Sequence, residues 1–475
     1  MPARKVGLPG KVPRALHEGL AAVRAELAVT DRFPDDVIRA AEHAAAQPRW
    51  PGLDRTDLEL VTIDPPGARD LDQALHITRN GSQLVVSYAV ADVGAFVSPR
   101  DPVDLESHRR GQTLYAPDHR TPLHPPALSE EAASLLPEQI RPALLWTLVV
   151  DDHAKLIDAR VERARVRSRA QLTYEQAQVA IDRGSAPKTL LLLKELGLQR
   201  EQRERDRGGV SLQIPQQQIN TDDGSWRLEF RSPLPVEGWN AQISLLTGMA
   251  AADMMIYGQV GILRTLPPAD NSSLRKLHQT AKALRIQWPA ELDYPEFVRS
   301  LDPARAAHAA MLNACTTLFR GAGYLAFNGG IPADAQHAAL ASEYAHVTAP
   351  LRRLVDRYTG EICLALCADQ PVPEWVLIAL EALPAEMARS EQRAKSYERA
   401  IFNLLEAFLL QDRVGEIFTG TVIEVGKDKT EGSVVIADPA VEAKIIGTEL
   451  PLGRQAQVRL KSADPRAGSV QFALV

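Results

Sequence analysis

Ten residues early in the chain, Ile63-Asp64-Pro65-Pro66-Gly67-Ala68-Arg69-Asp70-Leu71-Asp72, restrict the local fold more than any other segment. Two adjacent prolines and a glycine exclude a helix, because proline removes a backbone donor and glycine carries the largest entropic cost of ordering. The apolar stretch Leu58 to Ile63 before them reads as a buried strand, and Ala74 to Arg79 after them alternates like a second strand. The chain must turn tightly between the two strands, with three carboxylates on the turn. There they can converge, as they could not around a helix. Asp64 and Asp70 cannot approach each other ionised without a cation between them. Clustered hard oxygens suit Mg2+ or Mn2+, ions that assist phosphoryl-group chemistry. Aspartate also forms turns on its own, so three acids alone fit a solvated turn equally well.

A second segment bears on that choice. In Tyr344-Ala345-His346-Val347-Thr348-Ala349-Pro350-Leu351-Arg352-Arg353-Leu354-Val355-Asp356, two guanidinium groups follow a proline. Arginine grips phosphate through a planar fork and stays charged at any working pH, so the pair suits a phosphodiester. Taken alone, it also fits a surface charge pair opening a helix.

Together the two segments resemble the ribonuclease II / ribonuclease R family of processive exoribonucleases. The first family motif, T-I-D, five residues, then D-x-D-D, stands here as Thr62-Ile63-Asp64 and Asp70-Leu71-Asp72-Gln73. The second matches Tyr344 to Asp356, with Leu354 where an aromatic is usual. Leu114-Tyr115-Ala116-Pro117-Asp118, the stretch Pro122 to Ser129, and Arg165 to Tyr174 resemble further family segments. The resemblance runs from about Leu58 to about Leu410. It departs at Gln73, where the family has a fourth aspartate; an amide can offer a carbonyl oxygen to a metal but brings no charge.

By this resemblance, Asp64, Asp70, Asp72 and Gln73 are the metal ligands of a two-ion site taking Mg2+ or Mn2+. Asp72 and Arg352 are catalytic, Arg352 neutralising the transferring phosphate. Tyr115, Tyr174, Arg167, Arg169, Arg353 and Glu398 contact RNA, the tyrosines by stacking on bases without regard to sequence. Arg109, Arg110 and Arg165 join the candidates for a basic channel, and Arg357 is a candidate for positioning the RNA backbone. His346 and Asp92 read as structural.

A chain of 475 residues implies about two to four domains. The net charge of −6 excludes indiscriminate adhesion to polyanions but not a basic channel inside an acidic exterior. No run of eighteen apolar residues appears, so no membrane span is expected. The basic N-terminus lacks an apolar signal core, and three cysteines without a zinc spacing fit buried thiols in a reducing cytoplasm.

The expected architecture is multidomain α+β. Residues 1–55 form a small helical module, with a helix-turn-helix arrangement among its options. Its helices run Val12 to Leu27 and Pro34 to Ala46, the second capped by Thr30 or Asp31. Family members usually carry two cold-shock OB-folds at this end, and the helical pattern leaves no room for them. Residues 56–411 form a large mixed α/β ribonuclease II-type catalytic domain. Within it Thr189 to Arg207 reads as a helix whose charged end, Arg200 to Arg207, is a solvated face. Residues 412–475 contain five strand-like runs, Ile417–Val425, Gly432–Ala437, Val441–Ile446, Gln455–Leu460 and Val470–Val475, which fit a five-stranded OB-fold barrel.

The implied function is processive, hydrolytic 3′-to-5′ degradation of single-stranded RNA to nucleoside 5′-monophosphates, by a cytoplasmic monomer needing no cofactor beyond the ion. Two alternatives stay open. One is an RNA-binding relative whose site is weakened at Gln73; the other is a metal-dependent phosphoesterase acting on small substrates.

Overall fold

The computed structural model describes residues 14–116, 119–210, 216–220, 227–231, 233–303 and 305–475. Val12, in the first expected helix, and Pro117-Asp118 lie outside them. Helices α1 (Arg14–Glu26) and α2 (Asp35–Ala46) come first. Then follow β1 (Leu53–Asp54), β2 (Leu60–Asp64), β3 (Gln73–Asn80), β4 (Gln83–Ala91), α3 (Pro102–Arg110), the short hairpin β5 (Leu114–Tyr115) and β6 (Arg120–Thr121), β7 (Ile140–Val150) and β8 (Leu156–Thr173). The next stretch holds α4 (Tyr174–Asp182), α5 (Lys188–Asp206), β9 (Gln216–Asn220), β10 (Arg227–Arg231), α6 (Pro235–Tyr257) and β11 (Val260–Thr265). After it come α7 (Asn271–Ala283), α8 (Tyr294–Arg299), α9 (Ala306–Cys315), β12 (Gly323–Asn328), β13 (Gln336–His337) and β14 (Ser342–Glu343). Helices α10 (Leu354–Cys367), α11 (Glu374–Leu380) and α12 (Leu383–Leu410) lead to β15 (Ile417–Val425), β16 (Glu431–Ala437), β17 (Ala440–Ile446), β18 (Gln455–Asp464) and β19 (Ser469–Leu474).

The central sheet runs β1-β8-β2-β3-β4-β7, and β7 pairs again with β8. Strand β8 makes this possible through its length: its first part lies antiparallel to β7, and its last part, from Ser168 to Thr173, lies parallel to β2. The pairing therefore returns on itself, and Trp146, Tyr88, Leu75 and Ile77 fill the apolar interior with helix α6 packed alongside. The acid-bearing connection joins β2 to β3 at one end of this sheet, as the Pro/Gly-rich spacing predicts.

The five C-terminal strands close into a barrel in the order β15-β16-β17-β19-β18, each within a few residues of its expected run. Phe418 and Phe472 meet edge to face inside it. Helix α12 carries this barrel: Tyr397, Leu404 and Leu405 share one buried cluster with Phe418, Val422 and Phe472. Leu16 and Leu20 of α1 belong to the same cluster, whereas Val37 and Ala41 of α2 pack with the central sheet. The two N-terminal helices thus serve different cores.

Several local expectations are corrected. Helix α2 starts after Pro34 with no side-chain cap, so neither Thr30 nor Asp31 caps it. Proline already fixes the entering backbone and has no donor to satisfy. The end of α5 is solvated on one side only: Gln202, Arg205 and Asp206 are exposed, but Arg200 and Glu204 turn inward. Arg200 is buried, donating to the carbonyl of Ala154 at 3.1 Å, and buried Glu204 accepts from Gln242 at 2.7 Å. Cys315 and Cys363 are buried, but Cys367 is exposed. No helix among the described residues is long and apolar enough to cross a membrane.

Candidate active site

Backbone contacts assemble the site before any side chain acts. The acid connection is pinned by Leu71, which receives the Leu135 N–H on its carbonyl and gives its own N–H to Ser134 Oγ at 3.0 Å. The segment after α3 is zipped to the arginine loop: Thr113 N donates to Arg352 O at 2.9 Å and Leu354 N to Gly111 O at 3.0 Å. Leu351 N reaches across to Asp72 Oδ1 at 2.8 Å. Three segments distant in sequence thereby meet at Asp72.

Asp72 is 4 % exposed, and Arg352 Nε lies 3.2 Å from its second oxygen. Burial, reinforced by the charge of Asp70 and opposed by Arg352, pushes its carboxyl up to about 8. Asp70 is held at Oδ1 by Arg120 Nη1, 2.5 Å away, while the Tyr115 hydroxyl donates to Oδ2 at 3.4 Å. Arg120 also pairs with Glu130. Asp64 ends β2 opposite Thr173 of β8, and the next residue, Tyr174, opens α4. Burial and then the Asp64 charge push the Tyr174 hydroxyl up to about 12. Gln73 turns its amide N–H onto the carbonyl of Thr348.

The structure therefore brings together Asp70, Asp72, Arg352 and Tyr115, with Asp64 and Tyr174 side by side at adjoining strand ends. It spends other candidates elsewhere. Arg353 puts Nε and Nη2 on buried Asp356, at 2.5 and 2.7 Å. Arg169 donates to Thr56 O at 2.8 Å. Arg167 and Arg169 sit four to six residues before Thr173 on β8, roughly 13–20 Å along the strand from the acid turn. Glu398 is exposed on α12. Arg110 is no channel residue: its guanidinium is buried against Glu106, donates to the carbonyls of Thr30, Arg32 and Pro122, and lies 3.7 Å over the Phe33 ring. Arg165 pairs with Asp54 at 3.2 Å, and buried Arg357 donates to Asp104 at 2.6 Å. Asp92 pairs with Arg163 at 2.8 Å, and His346 Nδ1 bonds the Tyr324 hydroxyl at 2.7 Å.

One site residue went unnoticed in the sequence. Arg120 stands directly across the β5–β6 hairpin from Tyr115. The Pro117-Asp118 dipeptide signals a turn, and pairing across that turn would have placed Arg120 beside Tyr115.

The donor chemistry of the acid connection fits a hard divalent cation. Its candidate ligands are carboxylate oxygens, the hard donors that such an ion prefers. Among the described residues no three His, Cys, Asp or Glu side chains form a ready set of ligands. Arg120 and Arg352 take oxygens of Asp70 and Asp72 instead.

Residues 53–367, more than half of the chain, match the RNB domain family. The chain belongs to that family. Residues 416–475 match the RNase II-type exonuclease C-terminal S1 domain, which is the closed barrel. Among curated proteins the chain is similar to ribonuclease R of Chlamydia trachomatis, 27 % identical over 415 residues, covering 83 % of this chain and 57 % of that protein. It is also similar to the exosome complex exonuclease dis3 of Schizosaccharomyces pombe, 28 % identical over 327 residues, covering 65 % of this chain and 34 % of that protein. This RNB chain thus spans between a third and three fifths of the length of these two relatives. Among solved structures, ribonuclease R of Mycoplasma genitalium in complex with ribose-methylated single-stranded RNA superposes with a TM-score of 0.86 at 17 % identity, covering 97 % of this chain and 78 % of that one. That likeness establishes the shared fold.

Proposed function

We propose that this RNB protein is a hydrolytic 3′-to-5′ exoribonuclease that degrades single-stranded RNA processively to nucleoside 5′-monophosphates, assisted by Mg2+ or Mn2+. The observation that carries this is the meeting of Asp70, Asp72, Arg352 and Tyr115, which puts carboxylates, a phosphate-binding guanidinium and a stacking ring at one point. The names of the curated relatives and the C-terminal S1 match support the same substrate class. In domain terms, residues 56–411 carry the chemistry, 412–475 grip RNA, and 1–55 brace the two. The protein acts as a monomer in the cytoplasm.

Asp70 and Asp72, with Asp64 beside them, would hold the ion, for which the family resemblance implies a pair. A bound ion supplies an activated water and stabilises charge on the phosphate oxygens. Arg352, which donates to Asp72 at 3.2 Å, would neutralise charge developing on the transferring phosphate, and removing such a group typically costs on the order of a hundredfold in rate. Tyr115 offers its ring to a base near the scissile bond and Tyr174 a second stacking face on the Asp64 side. Stacking of roughly 1–3 kcal/mol per base, indifferent to sequence, is what a processive nuclease requires.

The test is degradation of a 5′-labelled single-stranded RNA with Mg2+ or Mn2+, beside Asp72→Asn. Loss of full-length RNA to a short labelled product without a ladder, absent in the variant and in EDTA, is expected. RNA binding without cleavage in either metal would instead establish the second reading, an RNA-binding relative, which the uncharged and already hydrogen-bonded Gln73 favours.

A further inference from the structure

Helix α7 carries charge unlike the rest of the chain. The whole sequence has 60 acidic against 54 basic residues, yet the stretch Asn271 to Ala290 holds Arg275, Lys276, Lys282 and Arg285 and no carboxylate. All four are exposed, and none makes an ion pair among the described residues. Asp270, just before the helix, is occupied as its N-cap, accepting the N–H groups of Ser272 at 2.7 Å and Ser273 at 2.8 Å. Arg275, His278 and Lys282 follow at helical spacing and share one face, while Leu277 and Ala281 turn into the core. Exposed His278 stacks on Trp288 with ring centroids 3.9 Å apart, and Trp288 stacks on buried Phe297 at 3.8 Å. The indole is held by its Nε1, which donates to the carbonyl of Leu292 at 3.1 Å. The stack rises from the core to the surface and ends on an imidazole within the basic face.

The C-terminal barrel continues this face. Leu277, Ala281 and Leu284 share one apolar cluster with Ile423, Val435 and Leu452 of the barrel. Gly453 approaches so closely that a Cβ on it would lie 2.0 Å from the Leu284 side chain. Arg285 and Arg454 directly follow these two touching residues, and Arg454 too is exposed and makes no ion pair among the described residues. Unpaired cations beside an aromatic ring suit a polyanion that carries flat rings. A membrane-lying helix would add large apolar side chains to enter the lipid, and among the described residues none is exposed between Tyr257 and Ile331. An acidic peptide would answer the charge but leave the ring stack idle, and a duplex keeps its bases stacked on one another. Single-stranded RNA answers both.

We propose that the α7 face, Arg275, His278, Lys282 and Arg285 with Arg454 of the barrel, is a second RNA-holding surface, which takes phosphates and a base of single-stranded RNA outside the acid connection. This extends the exoribonuclease reading set out above and rests on it. Phosphate contacts are indifferent to sequence and let a protein slide along a strand, so RNA drawn toward the acids can pass over the face while staying bound between cuts.

The experiment is fluorescence anisotropy of the full chain with 5′-labelled RNAs of about five and about thirty nucleotides, in EDTA, over roughly 50–300 mM KCl. In the triple variant Arg275→Gln/Lys282→Gln/Arg285→Gln, the slope of log affinity against log salt on the long RNA should fall by about two, because each lost phosphate contact removes about 0.7. The short RNA should show no such change. His278→Ala should weaken the long RNA by roughly tenfold, as the loss of one stacked base does. The triple variant leaves the ring stack intact and keeps the proposal testable if His278→Ala fails to fold. An unchanged slope on the long RNA in the triple variant, or an equal loss on both lengths, would overturn the proposal. Poly-glutamate and phosphatidylserine vesicles are titrated in parallel: binding of either that the triple variant loses, with RNA binding unchanged, would assign the face to a protein or a membrane instead. Hydrolysis with Mg2+ or Mn2+ is followed on the same samples. Wild-type hydrolysis with an unchanged slope in the variant rejects only this surface, whereas the absence of metal-dependent hydrolysis in the wild type rejects the exoribonuclease reading itself.

Discussion

Arg352 and Arg353 are neighbours of one residue type, and the structure gives them different work. Arg352 reaches Asp72 through one nitrogen at 3.2 Å and stays 27 % exposed, so part of its fork is free to face a phosphate. Arg353 closes both nitrogens on Asp356, which also accepts the N–H of Ala349 and has no exposure at all. Replacing each by glutamine should separate the two roles. Arg353→Gln strands a buried carboxylate, and the loss of one partner from such a pair costs roughly 3–5 kcal/mol. Its urea midpoint should fall sharply. Arg352→Gln should lose about a hundredfold in RNA hydrolysis with a much smaller change in stability. Equal destabilisation of both would show that Arg352, too, is a structural clamp. Nothing in the sequence Arg-Arg distinguishes the two, because the distinction lies in which acid each one meets. Asp72 is 280 residues away from Arg352, and Asp356 only three from Arg353.

At the scale of elements, what was legible is what local chemistry dictates. The strand–turn–strand around the acids follows from Pro65, Pro66 and Gly67 between apolar runs, and the barrel strands follow from regular turn signals. The region 266–320 gave no such reading: its helices α7, α8 and α9 are short, and Trp288 and Phe297 stack at 3.8 Å through a tertiary contact that no periodicity announces. The link between α3 and α12 was equally hidden. Gly111 ends α3 at φ +70°, and a Cβ there would lie 2.5 Å from the Cβ of Ser390. Gly111→Ala is therefore strained by its backbone and by the clash, and should cost about 1–3 kcal/mol. Because Gly111 O also receives the Leu354 N–H, the β5–β6 hairpin should shift and lengthen the final RNA fragment; an unchanged fragment would mean Tyr115 is placed by other contacts. Helix α1 gives a parallel case. Leu16 and Leu20 are buried in the cluster shared by α12 and the barrel, and a Cβ on Gly19 would come within 3.0 Å of Leu404. Leu16→Asp should make the barrel strands more sensitive to limited proteolysis, while a module packed only on itself would leave them unchanged.

Over the whole molecule, buried histidines tie stability to pH. His124 is 2 % exposed, with Nε2 on the carbonyl of Pro350 at 3.3 Å and Nδ1 without a partner among the described residues, which suits a neutral ring. Burial, followed by the charge of Arg357, pushes it down to about 4. The unfolded chain takes up that proton near pH 6.5, but the folded chain refuses it until about pH 4. Across that window the unfolded state binds more protons, so the contribution of His124 is whole above pH 6.5 and drains away as pH falls. Between pH 7.5 and 5 the loss is about 2 kcal/mol. Buried acids such as Asp72, raised to about 8, run the other way, because the folded protein protonates them first as pH falls. The total stability therefore hides the histidine, and a difference measurement is needed. Urea unfolding of the wild type and His124→Asn at both pH values cancels the acids. The variant should be the less stable at pH 7.5, and the gap should narrow by about 2 kcal/mol at pH 5. A gap that stays constant would mean that His124 is protonated in the folded chain, with Asp104 close enough to hold the charge.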